Sequence, residues 1–251
     1  MCFEGRTMRK RAVTKGRGWV IPLFVPVLLL ICAAVYVSVY YHADETALLA
    51  MQANETVSVT ETACGWLFDG PGEDTALIFY PGAKVEAEAY APLLRSLAEQ
   101  GVDVCLMKLP FRLALLGGSA ARRAIEAHDY EKWYIGGHSL GGVVAASYAA
   151  KHADTVAGVI LLAAYPIKQI PDPLMELLLV GSEDRVINRK RLEASTSLAP
   201  ESFVEHIIEG GNHAQFGSYG PQKGDGIATI TPTEQLRETV GVILQTLGAE
   251  P

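Results

Sequence analysis

The sequence predicts an α/β fold, a mostly parallel sheet with helices on both faces, preceded by one apolar helix. Three observations carry this. Several strand-length runs are apolar throughout rather than alternating, they take turns with segments of helical spacing, and 23 uncharged residues stand near the N-terminus. Strands are apolar on both sides when helices cover both faces of a parallel sheet. A length of 251 residues, 49% hydrophobic and 20% charged, suits one globular domain of roughly 200 residues with a sizeable core and an additional N-terminal part.

That part is the stretch Trp19 to Tyr41, "WVIPLFVPVLLLICAAVYVSVYY". As a helix rising about 1.5 Å per residue it is about 35 Å long, enough to cross a bilayer. Arg6, Arg9, Lys10, Arg11, Lys15 and Arg17 precede it against one acid, Glu4, and no Lys or Arg follows until Lys84. Positive charge is retained on the cytoplasmic side. The reading is therefore a basic cytoplasmic tail over 1–18, a transmembrane signal anchor over 19–41, a polar stalk over 42–55 and a globular α/β domain over 56–251. It places the protein at the cell membrane as a single-pass chain with its domain outside the cytoplasm. The competing reading is a signal peptide cleaved near Cys32-Ala33-Ala34.

Of 21 basic and 28 acidic residues, six basic and one acidic precede the apolar stretch, which leaves 15 against 27 and a net charge of −12 beyond it. This argues against nucleic acid or anionic headgroups as partners of the domain. Of the four cysteines, Cys64 and Cys105 lie in the domain, and Cys105 sits in the apolar run "VDVCLMKL". A buried free thiol is the reading, with a Cys64–Cys105 disulfide as the alternative in an oxidising compartment.

After the stalk, "TVSVTETACGWLF" alternates as an antiparallel strand pair does. "TALIFYPG" is a continuous apolar run stopped by Pro81 and Gly82, and "EAEAYAPLLRSLAEQG" has helical spacing from Tyr90 to Leu97, closed by Gly101. There follow "VDVCLMKL", a helical "SAARRAIEAH", "KWYIGG", a helical "LGGVVAASYAAKH", "VAGVILLAA", "MELLLVG", a charged helix near Asn188 to Ser197, "SFVEHIIE", and a last helix from about Thr233 to Leu247.

Between two of these elements stands "GGHSLGG", which contains Gly-x-Ser-x-Gly at Gly137, Ser139 and Gly141. The pentapeptide alone is weak. It has mechanical meaning in a strand–turn–helix, where the serine takes a strained conformation that lifts its hydroxyl above the sheet, and "KWYI" and "LGGVVAASYAAKH" supply that strand and helix. A serine hydroxyl needs a base, and the base needs a group that holds its tautomer. Asp184 follows the run "LMELLLV" in "GSEDRVI", and His213 lies in a glycine-flanked loop after the next run. Glu183 is the alternative acid. His206 alternates within a strand and reads as an edge or packed histidine, and His138 as the variable position of the turn. No His-Glu-x-x-His, Cys-x-x-Cys pair, Walker loop or Gly-x-Gly-x-x-Gly occurs, so no metal or nucleotide cofactor is indicated.

With these stretches, together with "IFYPGAKVEAEAYAPLLRSLAEQG" and "EGGNHAQFGSYGPQKGDG", the sequence from about Val57 to Leu247 resembles the α/β-hydrolase superfamily, and within it the fold-5 and dienelactone-hydrolase-like members. The resemblance implies Ser139 as nucleophile, Asp184 as orienting acid and His213 as general base. It implies an oxyanion hole from the backbone N–H groups of Leu140 and Ala83, although Pro81-Gly82 stands where many relatives have His-Gly. It implies a serine hydrolase acting on an ester or thioester of a small molecule. Acyl transfer, peptide hydrolysis by the same residues, or a binding protein that has lost turnover are the alternatives. About ten residues separate "VILLAA" from "MELLLV", too few for a cap domain. The long glycine-rich stretch Gln215 to Thr231 is expected either to fold over the site as a small lid or to be a surface loop.

Overall fold

The computed structural model describes residues 21–114 and 120–249. The chain forms two compact units, residues 1–39 and 40–251. In the first, helix α1 covers Ile21–Ser38, 18 uncharged residues with Pro26 inside. Its length is about 27 Å, short of a hydrocarbon core of about 30 Å, and among the described residues no helix is long and apolar enough to cross a membrane. The basic tail 1–18 and the first two residues of the expected span lie outside the described residues. The end of that span is a correction. Val39 to Tyr41 are not helical, and Tyr41 pairs with Val85 in the second unit.

The expected stalk 42–55 is a second correction. Its middle is helix α2, Glu45–Ala50, capped by Asp44, whose carboxylate accepts the Ala47 N–H at 2.9 Å. Ala47 and Ala50 are buried. The small side chains on one face let this short helix pack against the domain, a signal that polar composition hides.

Among the described residues the second unit is built on a sheet of eight strands in the order β1-β2-β4-β3-β5-β6-β7-β8. The strands are β1 Ser58–Thr62, β2 Gly65–Asp69, β3 Thr75–Tyr80, β4 Asp103–Met107, β5 Lys132–His138, β6 Gly158–Leu162, β7 Met175–Gly181 and β8 Ser202–Ile208. β1 and β2 are antiparallel, and β4, β3 and β5 to β8 run parallel. Successive side chains of β3 enter opposite layers. Leu77 and Phe79 join the cluster under α3 (Ala91–Ala98) and α7 (Pro232–Leu247), while Ala76, Ile78 and Tyr80 join the one under α4 (Ala120–Ala127), α5 (Leu140–Ala149) and α6 (Arg189–Ser195). Each such fully buried Leu, Ile or Phe stabilises the fold by about 1.5–3 kcal/mol. Two layers fed by alternate residues explain why these strands are apolar without interruption.

Strand β4 pairs with one side of β3 and β5 with the other. The chain therefore reverses its direction across the sheet at β3, and open α/β sheets bind ligands in the crevice beyond the C-terminal strand ends at such a reversal. The loops after β3 and β5 meet there. Segment 163–174, between β6 and β7, contains no helix or strand among the described residues. Cys64 and Cys105 are both free and buried, and burial pushes the Cys105 thiol up to about 12, which leaves it inert as a nucleophile.

Candidate active site

Ser139 lies between β5 and α5 with φ 52° and ψ −124°, a left-handed conformation unusual for a residue with a side chain. The turn is forced by close approach. A Cβ at Gly137 or Gly141 would run into the Tyr80 carbonyl oxygen, and one at Gly142 would collide with the Ala164 side chain. The Ser139 N–H donates to the Leu162 carbonyl at 2.9 Å, pinning the turn to β6. Leu140 opens α5, so its N–H belongs to the donors that a helix leaves unpaired at its first turn.

Asp184 and His213 come together after β7 and β8. Oδ2 of Asp184 lies 2.8 Å from Nδ1 of His213, and the two residues are only 3% and 1% exposed. Oδ1 of the same carboxylate accepts the N–H groups of Val186 at 2.8 Å and Ile187 at 2.9 Å, which fixes its rotation so that Oδ2 faces the imidazole. An ionised carboxylate only accepts, so Nδ1 carries the proton and Nε2 keeps its lone pair. Nε2 is buried and has no hydrogen-bond partner among the described residues. The Ser139 hydroxyl is therefore not bonded to it in this structure, a looseness common in ligand-free sites. The imidazole is nonetheless at the turn, for its ring centroid lies 4.4 Å from that of His138, the residue before Ser139. Glu183, the alternative acid, donates its N–H to the Gly211 carbonyl at 2.8 Å and remains partly exposed.

Three residues of the site were not legible in the sequence. Tyr90 Oη accepts the Gly82 N–H at 3.0 Å and lies 2.8 Å from Nδ1 of His138. With the backbone N–H already donating to it, the phenol donates to His138. Burial and the neighbouring His213 hold His138 well below the usual histidine range, so it stays neutral and accepts that bond. The Gly82 N–H is thus engaged, which leaves the next N–H, that of Ala83, as the donor this loop offers. The third residue is Asp225. Its carboxylate accepts the Ala214 N–H at 2.9 Å and the Arg185 N–H at 3.3 Å, tying the loop of His213 to the loop of Asp184. Tyr90 is masked by its apolar helix, His138 by the turn motif, and Asp225 by a glycine-rich stretch.

The stretch 215–231 is not a free lid. Asn212 Nδ2 donates to the Gly226 carbonyl at 2.9 Å, Gln215 Nε2 to Ile230 at 3.2 Å, and the Thr229 N–H to Gly210 at 2.8 Å. These bonds make it a packed brace behind His213. His206 lies on the edge strand β8, 2.7 Å from the Glu238 carboxylate, as an edge histidine should. Among the described residues no three His, Cys, Asp or Glu side chains are grouped to hold a metal ion.

A mostly parallel sheet with a strained strand-to-helix turn at the reversal of strand order defines a class of α/β enzyme scaffolds, and comparison with known proteins narrows it. The alpha/beta hydrolase family model matches residues 76–237, and the chain belongs to that family. Solved structures share the fold at low identity. A CIB-like hydrolase from Thermoplasma acidophilum is 16% identical with a TM-score of 0.56, covering 75% of this chain and 99% of its own. A dienelactone hydrolase from Anabaena variabilis is 18% identical with a TM-score of 0.55, covering 77% and 97%. Est1E from Butyrivibrio proteoclasticus is 13% identical with a TM-score of 0.53, covering 77% and 100%. No curated protein matches the sequence.

Proposed function

We propose that the protein is a serine hydrolase that cleaves an ester or thioester of a small substrate through Ser139, His213 and Asp184. The observation that carries the proposal is the buried Asp184–His213 pair, whose unengaged Nε2 stands beside a turn that holds a serine at φ 52°. In this reading Nε2 takes the proton as the Ser139 oxygen attacks the carbonyl carbon, and Asp184 stabilises the imidazolium. The Leu140 and Ala83 N–H groups receive the oxyanion. Collapse expels the alcohol or thiol with the proton returned by His213, and water then hydrolyses the acyl-enzyme by the same relay.

Hydrolysis is favoured over acyl transfer because transfer requires exclusion of water, and segment 163–174 carries no cap that would exclude it. The same openness favours small substrates. Solved relatives of this fold include a dienelactone hydrolase and Est1E, which has been seen with ferulic acid bound. Ester hydrolysis on aryl acetates by the wild-type chain, abolished in Ser139→Ala, tests the reading. A Ser139→Ala chain that turns over at the wild-type rate refutes it.

The proposal includes anchoring at the cell membrane with the catalytic unit outside the cytoplasm. It is supported by the uncharged run from Trp19 to Tyr41 and the six basic residues before it. Recovery of the intact chain in the membrane fraction, resistant to carbonate extraction, supports an anchor. A soluble chain beginning near Ala33 identifies a cleaved signal instead.

A further inference from the structure

We infer that residues 40–44, immediately before the catalytic unit's first helix, are a positioning strap that holds the oxyanion loop, with Tyr41 at its centre. The inference rests on the serine-hydrolase reading. On one side the strap grips the loop after β3. Tyr41 lies in a parallel bridge with Val85, its N–H donating to the Lys84 carbonyl at 2.7 Å and its carbonyl accepting the Glu86 N–H at 2.9 Å. The Ala43 N–H donates to Glu86 Oε2 at 2.9 Å, and His42 Nδ1 lies 3.3 Å from Oε1 of the same carboxylate. On the other side it grips the brace behind His213. The Asp44 N–H donates to the Ser218 carbonyl at 2.9 Å, the Lys223 N–H to Tyr41 Oη at 3.1 Å, and the Tyr41 and Tyr219 rings lie 5.5 Å apart.

The loop it grips is under conformational strain. Lys84 in that loop is left-handed at φ 60°, and so are Phe111 and Arg112, at φ 54° and 57°, in the turn after β4 to which it is bonded. The Lys84 N–H donates to the Arg112 carbonyl at 3.1 Å, and the Arg112 guanidinium stacks 3.3 Å from the Tyr40 ring. Such conformations persist only where the surroundings over-determine them. Ala83, the loop's oxyanion donor, stands between two fixed points. Gly82 is fixed by Tyr90 and Lys84 by Tyr41 and Arg112. Without the strap, Lys84 loses the bond from the Tyr41 N–H, its left-handed backbone is less firmly held, and the adjoining Ala83 amide shifts with it. The donor acts on charge that develops in the transition state, so the loss falls on kcat rather than on substrate binding.

The test uses the full chain with an aryl acetate and a trifluoromethyl ketone as transition-state analogue. Tyr41→Pro removes the N–H bonded to Lys84, and Glu86→Gln is the milder variant should the first fail to fold. In the folded variants kcat is expected to fall about tenfold or more, with KM within about twofold. The inhibition constant of the ketone rises by the same factor. Lys84→Gly in either background should recover part of the loss, because glycine adopts φ 60° without strain. A folded variant with unchanged kcat, a change confined to KM, or a kcat loss with no recovery overturns the strap. Ser139→Ala run alongside separates the failures: if it retains turnover the hydrolase reading fails, and if it is inactive while the strap variants behave as wild type, the strap alone fails.

Discussion

Asp184 and His213 are joined at 2.8 Å with both side chains buried, and the other oxygen of that carboxylate is occupied by two backbone N–H groups. Truncating either member leaves the other buried and unpaired, so the two should act as one unit with Ser139. Ser139→Ala and His213→Ala are each expected to lose about a thousandfold or more in turnover on a short aryl ester, and the double variant little more. Asp184→Asn should lose somewhat less. Losses that multiply in the double variant would show independent roles.

Tyr90 joins the loop after β3 to the turn that holds Ser139, through the Gly82 N–H and His138 Nδ1. Tyr90→Phe leaves the Gly82 N–H and His138 Nδ1 buried without a partner, which should destabilise the fold by about 1–3 kcal/mol. It should also lower kcat more than it raises KM. Thermal unfolding and steady-state kinetics on the same preparation check both. An unchanged melting temperature would mean that water replaces the phenol.

Most of the sheet was legible in the sequence because β3, β4, β6 and β7 are buried on both faces and admit no polar alternation. The Ser139 turn was readable from its glycines after β5 and Asp184 from its place after β7, whereas His213 follows the largely exposed edge strand β8 and was marked by its glycine-flanked loop. What was hidden lies in segments whose composition says surface while their contacts say interior. Residues 42–55 mix Ala and Leu with acids and amides and read as a stalk, yet Ala47 and Ala50 are buried. The stretch 215–231 is glycine-rich yet is held by Asp225 and Asn212. Tyr90 belongs to an apolar cluster, and nothing in its spacing reveals that its hydroxyl is what matters.

Glu176 is 1% exposed in β7, and its Oε2 has no partner among the described residues. Burial pushes its carboxyl up to about 7 from an ordinary 4.5. A raised carboxyl binds its proton more tightly in the folded chain, so stability is greatest below pH 4.5 for this group and falls as pH rises to 7. The shift corresponds to on the order of 3 kcal/mol at pH 8. Glu176→Gln should therefore raise the melting temperature at pH 8 and flatten its decline between pH 5 and 7. An identical pH profile in the variant would place the titration elsewhere.

With no element between β6 and β7 to form a deep apolar tunnel, long acyl chains gain little of the roughly 25 cal/mol per Å² that burial supplies. Esterase rates across a series from acetate to palmitate should peak at acetyl to butyryl and fall by octanoyl. A maximum at decanoyl or beyond would reveal a lipid-binding surface elsewhere on the chain.

In the proposed mechanism everything depends on Ser139 being an activated nucleophile. A fluorophosphonate probe, followed by mass spectrometry of the digested full chain, tests it most directly. A single phosphonylated residue, Ser139, is expected, with labelling lost in Ser139→Ala and slowed at least about a hundredfold in His213→Ala. Labelling that is absent from the folded wild-type chain, or equally fast in His213→Ala, would contradict it.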